Sequence, residues 1–348
     1  MKKVFGLFLS LMVLMSLSAY KKGYRELTFE SFSASTISIR KIGEPFDISL
    51  EYSLDGKNWK SYSIGEDIYL LDEDKLFFRA GETGNKRFSK GKDDYYQFQI
   101  SGKVAARGNI MSLLDRNCSH NLLPSYAFFN LFRDCASLTE APELPAMKLA
   151  ERCYWGMFSG CTSLNEAPVL PARELAEECY YWMFVGCENL TKAPALPATK
   201  LAEGCYSWMF AGCENLTKAP GLPATELAEG CYSEMFFGCT SLTEAPALPA
   251  TELAEGCYEC MFSDCTSLTK APALPATELA EDCYKQMFEG CTSLNYVKAL
   301  FTDWPTSETS GSWLSGVAPA GTFVKNKNAT WDVRGENGIP YGWTVVIE

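Results

Sequence analysis

A chain of 348 residues with 47% hydrophobic and 21% charged content is ordinary globular material, long enough for two or three domains and too apolar to be disordered. Its formal charge is −12, and −14 without the two lysines of the leader described below, which argues against nucleic acid as a partner because phosphate contacts need clustered Lys and Arg. One histidine, His120, leaves a His-based metal site or a Ser-His-Asp or Cys-His constellation without partners, and no phosphate-cradling glycine loop or H-E-x-x-H run occurs, so the sequence predicts neither an enzyme nor a cofactor.

Residues 1–19 have the pattern of a signal peptide: Lys2 and Lys3, an apolar run from Val4 to Leu17, and small residues at Ser18 and Ala19. The run is shorter than the roughly 20 residues that span a bilayer, so export is expected, with no membrane span after cleavage. Residues 20–116 alternate apolar and polar positions in Leu27–Phe29, Ile37–Ile39, Ile48–Tyr52, Ile68–Leu70, Leu76–Phe78 and Tyr96–Ile100, which predicts a small all-β sandwich. Within it, Ser53–Trp59 is similar to the Asp-box hairpin of sialidase-like propellers but is one residue short and occurs once, so a D-G hairpin packing its Trp is the simpler account.

From residue 117 to 294 a 26-residue period governs the chain. One Cys series falls at Cys135, Cys161, Cys187, Cys213, Cys239, Cys265 and Cys291, and a second at Cys153, Cys179, Cys205, Cys231, Cys257 and Cys283. The unit reads C-x-x-L-x-x-A-P-x-L-P-A-x-x-L-A-x-x-C-Y-x-x-M-F-x-G, and Cys135 to Gly290 is six full copies. Four-residue spacings of Leu201, Cys205 and Met209, and of Ala202, Tyr206 and Phe210, predict a helix, with Thr199 to cap it and Gly212 to end it in the left-handed region. Leu216–Ala219 predicts a short strand stopped by Pro220. Such units must stack, so an α/β repeat solenoid of about seven coils is expected, begun by a degenerate copy at 117–134.

The order C-x-x-L, short strand, Pro, helix, M-F-x-G-C resembles the bacterial leucine-rich repeats of the BspA-like surface-protein group. That resemblance implies an exported, repeat-built binding or adhesion protein and names no ligand. Ala stands where those repeats carry Ile or Val, and each unit holds two prolines.

Fifteen Cys in an exported chain would ordinarily suggest disulfides, but repeat-equivalent Cys stacking at about 4.8 Å also make a good buried thiol ladder, which is the favoured reading. Cys257 and Cys260 form a lone C-x-x-C without the βαβ context of a redox motif. On the strand face, Glu140, Glu166, Lys192, Lys218, Glu244 and Lys270 are expected to form an exposed column. Residues 295–348, with Trp304, Trp313, Trp331 and Trp343, predict a small β-rich cap in which the Trp are more often core than a carbohydrate platform.

The candidate site lies at the two variable positions after each C-Y. They read Trp155-Gly156, Tyr181-Trp182, Ser207-Trp208, Ser233-Glu234, Glu259-Cys260 and Lys285-Gln286, so Trp155, Tyr181, Trp182 and Trp208 crowd the first half of the repeats. Either these rings form an exposed patch that binds an extracellular protein or glycan, or each packs against the next coil. Three functions follow: a secreted or cell-surface binding module, expected to be a monomer; a surface spacer without a ligand; and, with least support, a glycan-acting enzyme using the hairpin and the tail Trp.

Overall fold

A computed structural model describes residues 24–119, 122–304, 310–335 and 337–348. The leader at 1–19 and His120 therefore lie outside the described residues.

The alternating segments form strands. β1 (Leu27–Ser31), β3 (Leu50–Ser53), β4 (Lys60–Ser61), β6 (Lys75–Ala80) and β8 (Val104–Arg107) join one sheet, and β2 (Ser35–Ile42), β5 (Ile68–Leu70) and β7 (Tyr95–Ser101) the other. Their inner faces meet through Phe29, whose ring lies 5.1 Å from Phe98 of the second sheet, with Phe78 and Tyr62 beside them. In the hairpin, the Asp55 carboxylate accepts from the Lys57 and Asn58 backbone N–H groups at 2.8 Å, while Arg79 lies 3.8 Å over the Trp59 ring. Asp55 thus organises its own turn and Trp59 stacks under Arg79 of β6.

The repeats form a solenoid, but not one with helices. A short 3-10 turn at Ile110–Leu113, capped by Asn109, lies ahead of the repeats. Where the four-residue spacing predicts a helix, every fourth residue instead has a positive φ: Arg152, Gly156 and Gly160 in one coil, and Gly204, Trp208 and Gly212 two coils on. A right-handed helix cannot pass through such residues. The backbone hydrogen bonds show what replaces it. Cys153, Trp155, Met157, Ser159 and Cys161 each donate to the carbonyl three residues back, closing successive turns. The intervening Arg152, Tyr154, Gly156, Phe158 and Gly160 donate to Glu177, Cys179, Tyr181, Met183 and Val185 of the next coil at 2.8–3.1 Å. Half the amides therefore build the turn ribbon and half weld it to its neighbour. A ten-residue helix would be marginal alone, whereas this ribbon gains a ladder from each added coil.

Residues fall on the ribbon in pairs, two inward and two outward, which is why the apolar spacing is four rather than 3.6. Cys205, Tyr206, Met209, Phe210, Cys213 and Leu216 are each 1% exposed or less. Equivalent Phe rings from Phe158 to Phe288, and Tyr rings from Tyr154 to Tyr284, stack coil on coil with centroids 5.6–6.1 Å apart. All fifteen thiols are free, and all but Cys118 and Cys260 are buried. The Sγ atoms of the first Cys series, Cys135, Cys161, Cys187, Cys213, Cys239, Cys265 and Cys291, each donate to a Phe carbonyl at 3.0–3.3 Å, so that ladder is hydrogen-bonded as well as packed.

The strand side is thinner than the sequence suggests. Regular strands occur at the two ends: β9 (Leu138–Glu140) pairs in parallel with β8, and β10 (Lys270–Leu274), β11 (Tyr296–Ala299), β12 (Gly321–Lys325) and β13 (Trp343–Ile347) form a parallel sheet. Between them the ladder shrinks to single bridges such as Glu166 to Lys192 and Lys218 to Glu244, since Pro168, Pro194, Pro220 and Pro246 have no N–H to give. The charged column is there, with Lys192–Glu166 at 3.8 Å and Lys218–Glu244 at 3.6 Å, while Lys270 lies over the Tyr296 ring instead. A second column, which the sequence analysis did not single out, pairs Lys148 with Glu174 at 2.8 Å and Lys200 with Glu226 at 3.1 Å.

Both ends are closed by continuation rather than by a separate lid. Phe98 of β7 donates its N–H to Leu131 and stacks 5.0 Å from Phe132, so the sandwich core runs into the first coil. At the other end Gln286, Phe288 and Gly290 donate to Gly311, Trp313 and Ser315, carrying the ribbon beyond residue 294 without its Cys. Trp313, Trp331 and Trp343 are buried and Trp304 half-buried, so the tail Trp residues are core.

Candidate functional site

The outward pairs of the ribbon hold the variable positions, and the inter-coil ladder sets equivalent residues side by side. It brings all four candidate rings together. Trp155 and Tyr181 stack at 5.5 Å and 5°, Trp155 and Trp182 lie 4.9 Å apart, and Trp182 meets Trp208 edge-on at 6.4 Å. The row is longer than the sequence indicated. Phe129 stacks on Trp155 at 4.6 Å and is itself 5.5 Å from Tyr95, while Phe237 lies 5.7 Å from Trp208. Phe129 could have been found, because it sits 26 residues before Trp155 in the degenerate first copy; Phe237 occupies the variable slot before the closing Gly238.

The four rings are half-buried rather than fully exposed, since each covers part of its neighbour. The face-to-face stack ends at Tyr181, because the next coil carries Ser207 in that slot, followed by Ser233. Trp182, Trp208, Glu234, Cys260 and Gln286 have φ between 50° and 58°, at the slot where the first full copy has Gly156. A non-glycine side chain there costs about 1–2 kcal/mol of backbone strain, so these side chains are held out from the ribbon against a local preference.

Carboxylates border the row. Arg152 is clamped by Glu151, Glu177 and Glu178 at 2.8, 3.0 and 2.6 Å. Beyond Arg152 the row Glu203, Glu229, Glu255 and Glu281 has no basic residue within it. Burial, then Glu177 and Glu229, raise the Glu203 carboxyl above its ordinary range. Glu178 and Tyr181 converge over Gly204, where an added Cβ would lie 3.1 Å from Glu178 Cγ and 3.9 Å from the Tyr181 ring. Glu234 is half-buried beside Trp208 in the column; burial, and secondarily Glu259, push its carboxyl up to about 7. Glu259 is paired with Lys285 at 3.1 Å, whereas Glu234 has no ion pair or side-chain hydrogen bond among the described residues.

Other candidates have plainer settings. Cys260 Sγ lies 3.7 Å from Gln286 Oε1, and burial pushes its thiol up to about 12, the opposite of an activated redox cysteine. Among the described residues no group of three or more His, Cys, Asp or Glu is placed to hold a metal, and no helix is long and apolar enough to cross a membrane. A separate open groove of about 1190 Å³, lined by Phe32, Lys103, Glu140, Asn165 and Glu166 among others, contains none of the four rings.

The assembled face can accept flat apolar groups against ring edges and cationic groups against rings and carboxylates together. Comparison of the chain with protein-family models, with curated proteins and with solved structures finds no match in any of the three.

Proposed function

We propose that this protein is an exported, surface-acting binding module whose ligand, an extracellular protein or glycan, docks on the aromatic face of the first coils. The observation that carries the reading is the row from Phe129 to Phe237: aromatic side chains in consecutive coils, buried at Phe129 and half-buried from Trp155 onward, with Trp182 and Trp208 in the slot where the backbone disfavours a side chain. A core needs no such row, because the inward Cys, Tyr, Met and Phe columns already fill it. Trp and Tyr also supply large contact area at little conformational cost. The leader and the resemblance to BspA-like repeats support a secreted or cell-surface location. A spacer role is the second reading, favoured by the way Phe129, Trp155 and Tyr181 stack on one another.

The test is a screen of immobilised matrix proteins and glycans with the native chain and a face-stripped variant. That variant combines Trp155→Ser, Tyr181→Ser, Trp182→Gly and Trp208→Gly, each the residue an equivalent coil already carries at Ser207, Ser207, Gly156 and Gly156. Loss of one reproducible set of signals in a variant that still melts cooperatively supports the binding reading. Identical profiles for the two proteins would favour the spacer.

A further inference from the structure

The face-to-face stack of rings stops at Tyr181. Beyond Tyr181 the slot of the stacked rings falls to a buried Ser207 and a half-buried Ser233, and the neighbouring slot falls from Arg152 and Glu178 to Gly204 and Gly230, leaving a step floored by small residues. Tyr181 ends the stack on one side of that step, and Trp208, edge-on to Trp182 and 5.7 Å from Phe237, stands on the other. Glu178 leans beside Tyr181 over Gly204, and Glu234 follows Trp208 in the next coil. Of these two acids Glu178 is neutralised by Arg152 at 2.6 Å, while Glu234 is half-buried and unpaired among the described residues. The proton affinity of the Tyr181 hydroxyl is raised by burial and then by the charges of Glu178 and Glu234.

Ring faces and an unpaired carboxylate around a small-residue floor are the elements that hold an alkylammonium or guanidinium group. The wider field agrees, since Glu203, Glu229 and Glu255 run past the step with no ion pair among the described residues and the chain carries −12 overall. We propose that the step between Tyr181 and Trp208 takes a lysine or arginine side chain from a basic segment of an extracellular protein, with Glu234 as its counter-ion. This rests on the reading of the aromatic face as a binding surface and narrows it from protein or glycan to a cationic peptide. A neutral glycan offers Glu234 no opposite charge; a cation does.

The experiment is fluorescence anisotropy at physiological salt with a labelled Gly-Arg repeat peptide, against Gly-Ser and Gly-Glu peptides of the same length. Native protein is compared with Glu234→Gln, Trp208→Gly and Glu252→Gln, the last removing one exposed carboxylate outside the outward ring slots. Binding of the Gly-Arg peptide alone, weakened about fivefold or more by Glu234→Gln and by Trp208→Gly but under about twofold by Glu252→Gln, is the expected result. Equal weakening by Glu234→Gln and Glu252→Gln would mean diffuse attraction to an acidic protein and would overturn the proposal, as would binding of Gly-Ser as tight as Gly-Arg or no binding of Gly-Arg. If a glycan from the screen loses binding in Trp208→Gly yet not in Glu234→Gln, the cationic site fails while the aromatic face stands as a binding surface. Melting curves of both variants establish that each is folded when tested.

Discussion

Replacing Gly230 by alanine separates the turn ribbon from a helix by the sign of its effect. In a helix spanning Leu227–Phe236 this glycine would be interior, and alanine would stabilise by about 1 kcal/mol. In the structure Gly230 has φ +54° and an added Cβ meets nothing within 4 Å, so the only consequence is a left-handed alanine. That strain costs about 1–2 kcal/mol, partly offset by about 0.4–1 kcal/mol of lost freedom in the unfolded chain, leaving a net loss of roughly 1 kcal/mol. Gly212→Ala serves as the control, because φ +70° there makes alanine unfavourable in the ribbon and equally at the end of a helix. Urea unfolding followed by Trp fluorescence and far-ultraviolet circular dichroism would read both. The ribbon predicts destabilisation by both substitutions. Stabilisation by Gly230→Ala alongside destabilisation by Gly212→Ala would refute the reasoning.

Burial raises the Glu234 carboxyl to about 7 from 4.5, so the folded state holds a proton that the unfolded state has released, and stability falls as pH rises through that window. Glu234→Gln should therefore match the native protein near pH 5 and exceed it by ~1 kcal/mol near pH 8, after allowing for the water that screens a half-buried group; equal stability at both pH values would contradict this. Tyr154→Phe should stabilise by about 1 kcal/mol in chemical denaturation, because the Tyr154 hydroxyl is buried without a partner while its ring stacks on Phe128 and Tyr180; a loss would mean the hydroxyl is satisfied in solution. Under native conditions a thiol reagent should modify Cys118 and Cys260 first and the buried remainder of the fifteen only on unfolding; a count well below fifteen in denaturant would reveal bridges.

Much of this was legible in the sequence, for a physical reason: a solenoid's core repeats with its sequence. The 26-residue period gave the inward Cys, Leu, Tyr, Met and Phe columns, and the alternation from Leu27 to Ile100 gave the sandwich strands. The helix was misread because Leu201, Cys205 and Met209 fit a helical stripe over so short a span. A true stripe would drift at 3.6 residues per turn, and glycines at both Gly204 and Gly212 were the sign that every fourth residue is left-handed. The end of the ribbon was missed because Trp313 and Leu314 take the place of Met287 and Phe288, with no Cys to mark the coil. The clustering of the four rings was legible because variation in a strict repeat stands out. Glu234 was overlooked because nothing in the sequence marks one glutamate among many as unpaired; only the stacking that buries it beside Trp208 does so.

Amide hydrogen exchange on the complex with a partner captured in the binding screen tests the central claim most directly. The account predicts slowed exchange across residues 178–186, 204–212 and 230–238, where the ring row and Glu234 lie, and no change along the charged column at Glu166, Lys192 and Lys218. Protection confined to that charged column, with the ribbon unchanged, would contradict it.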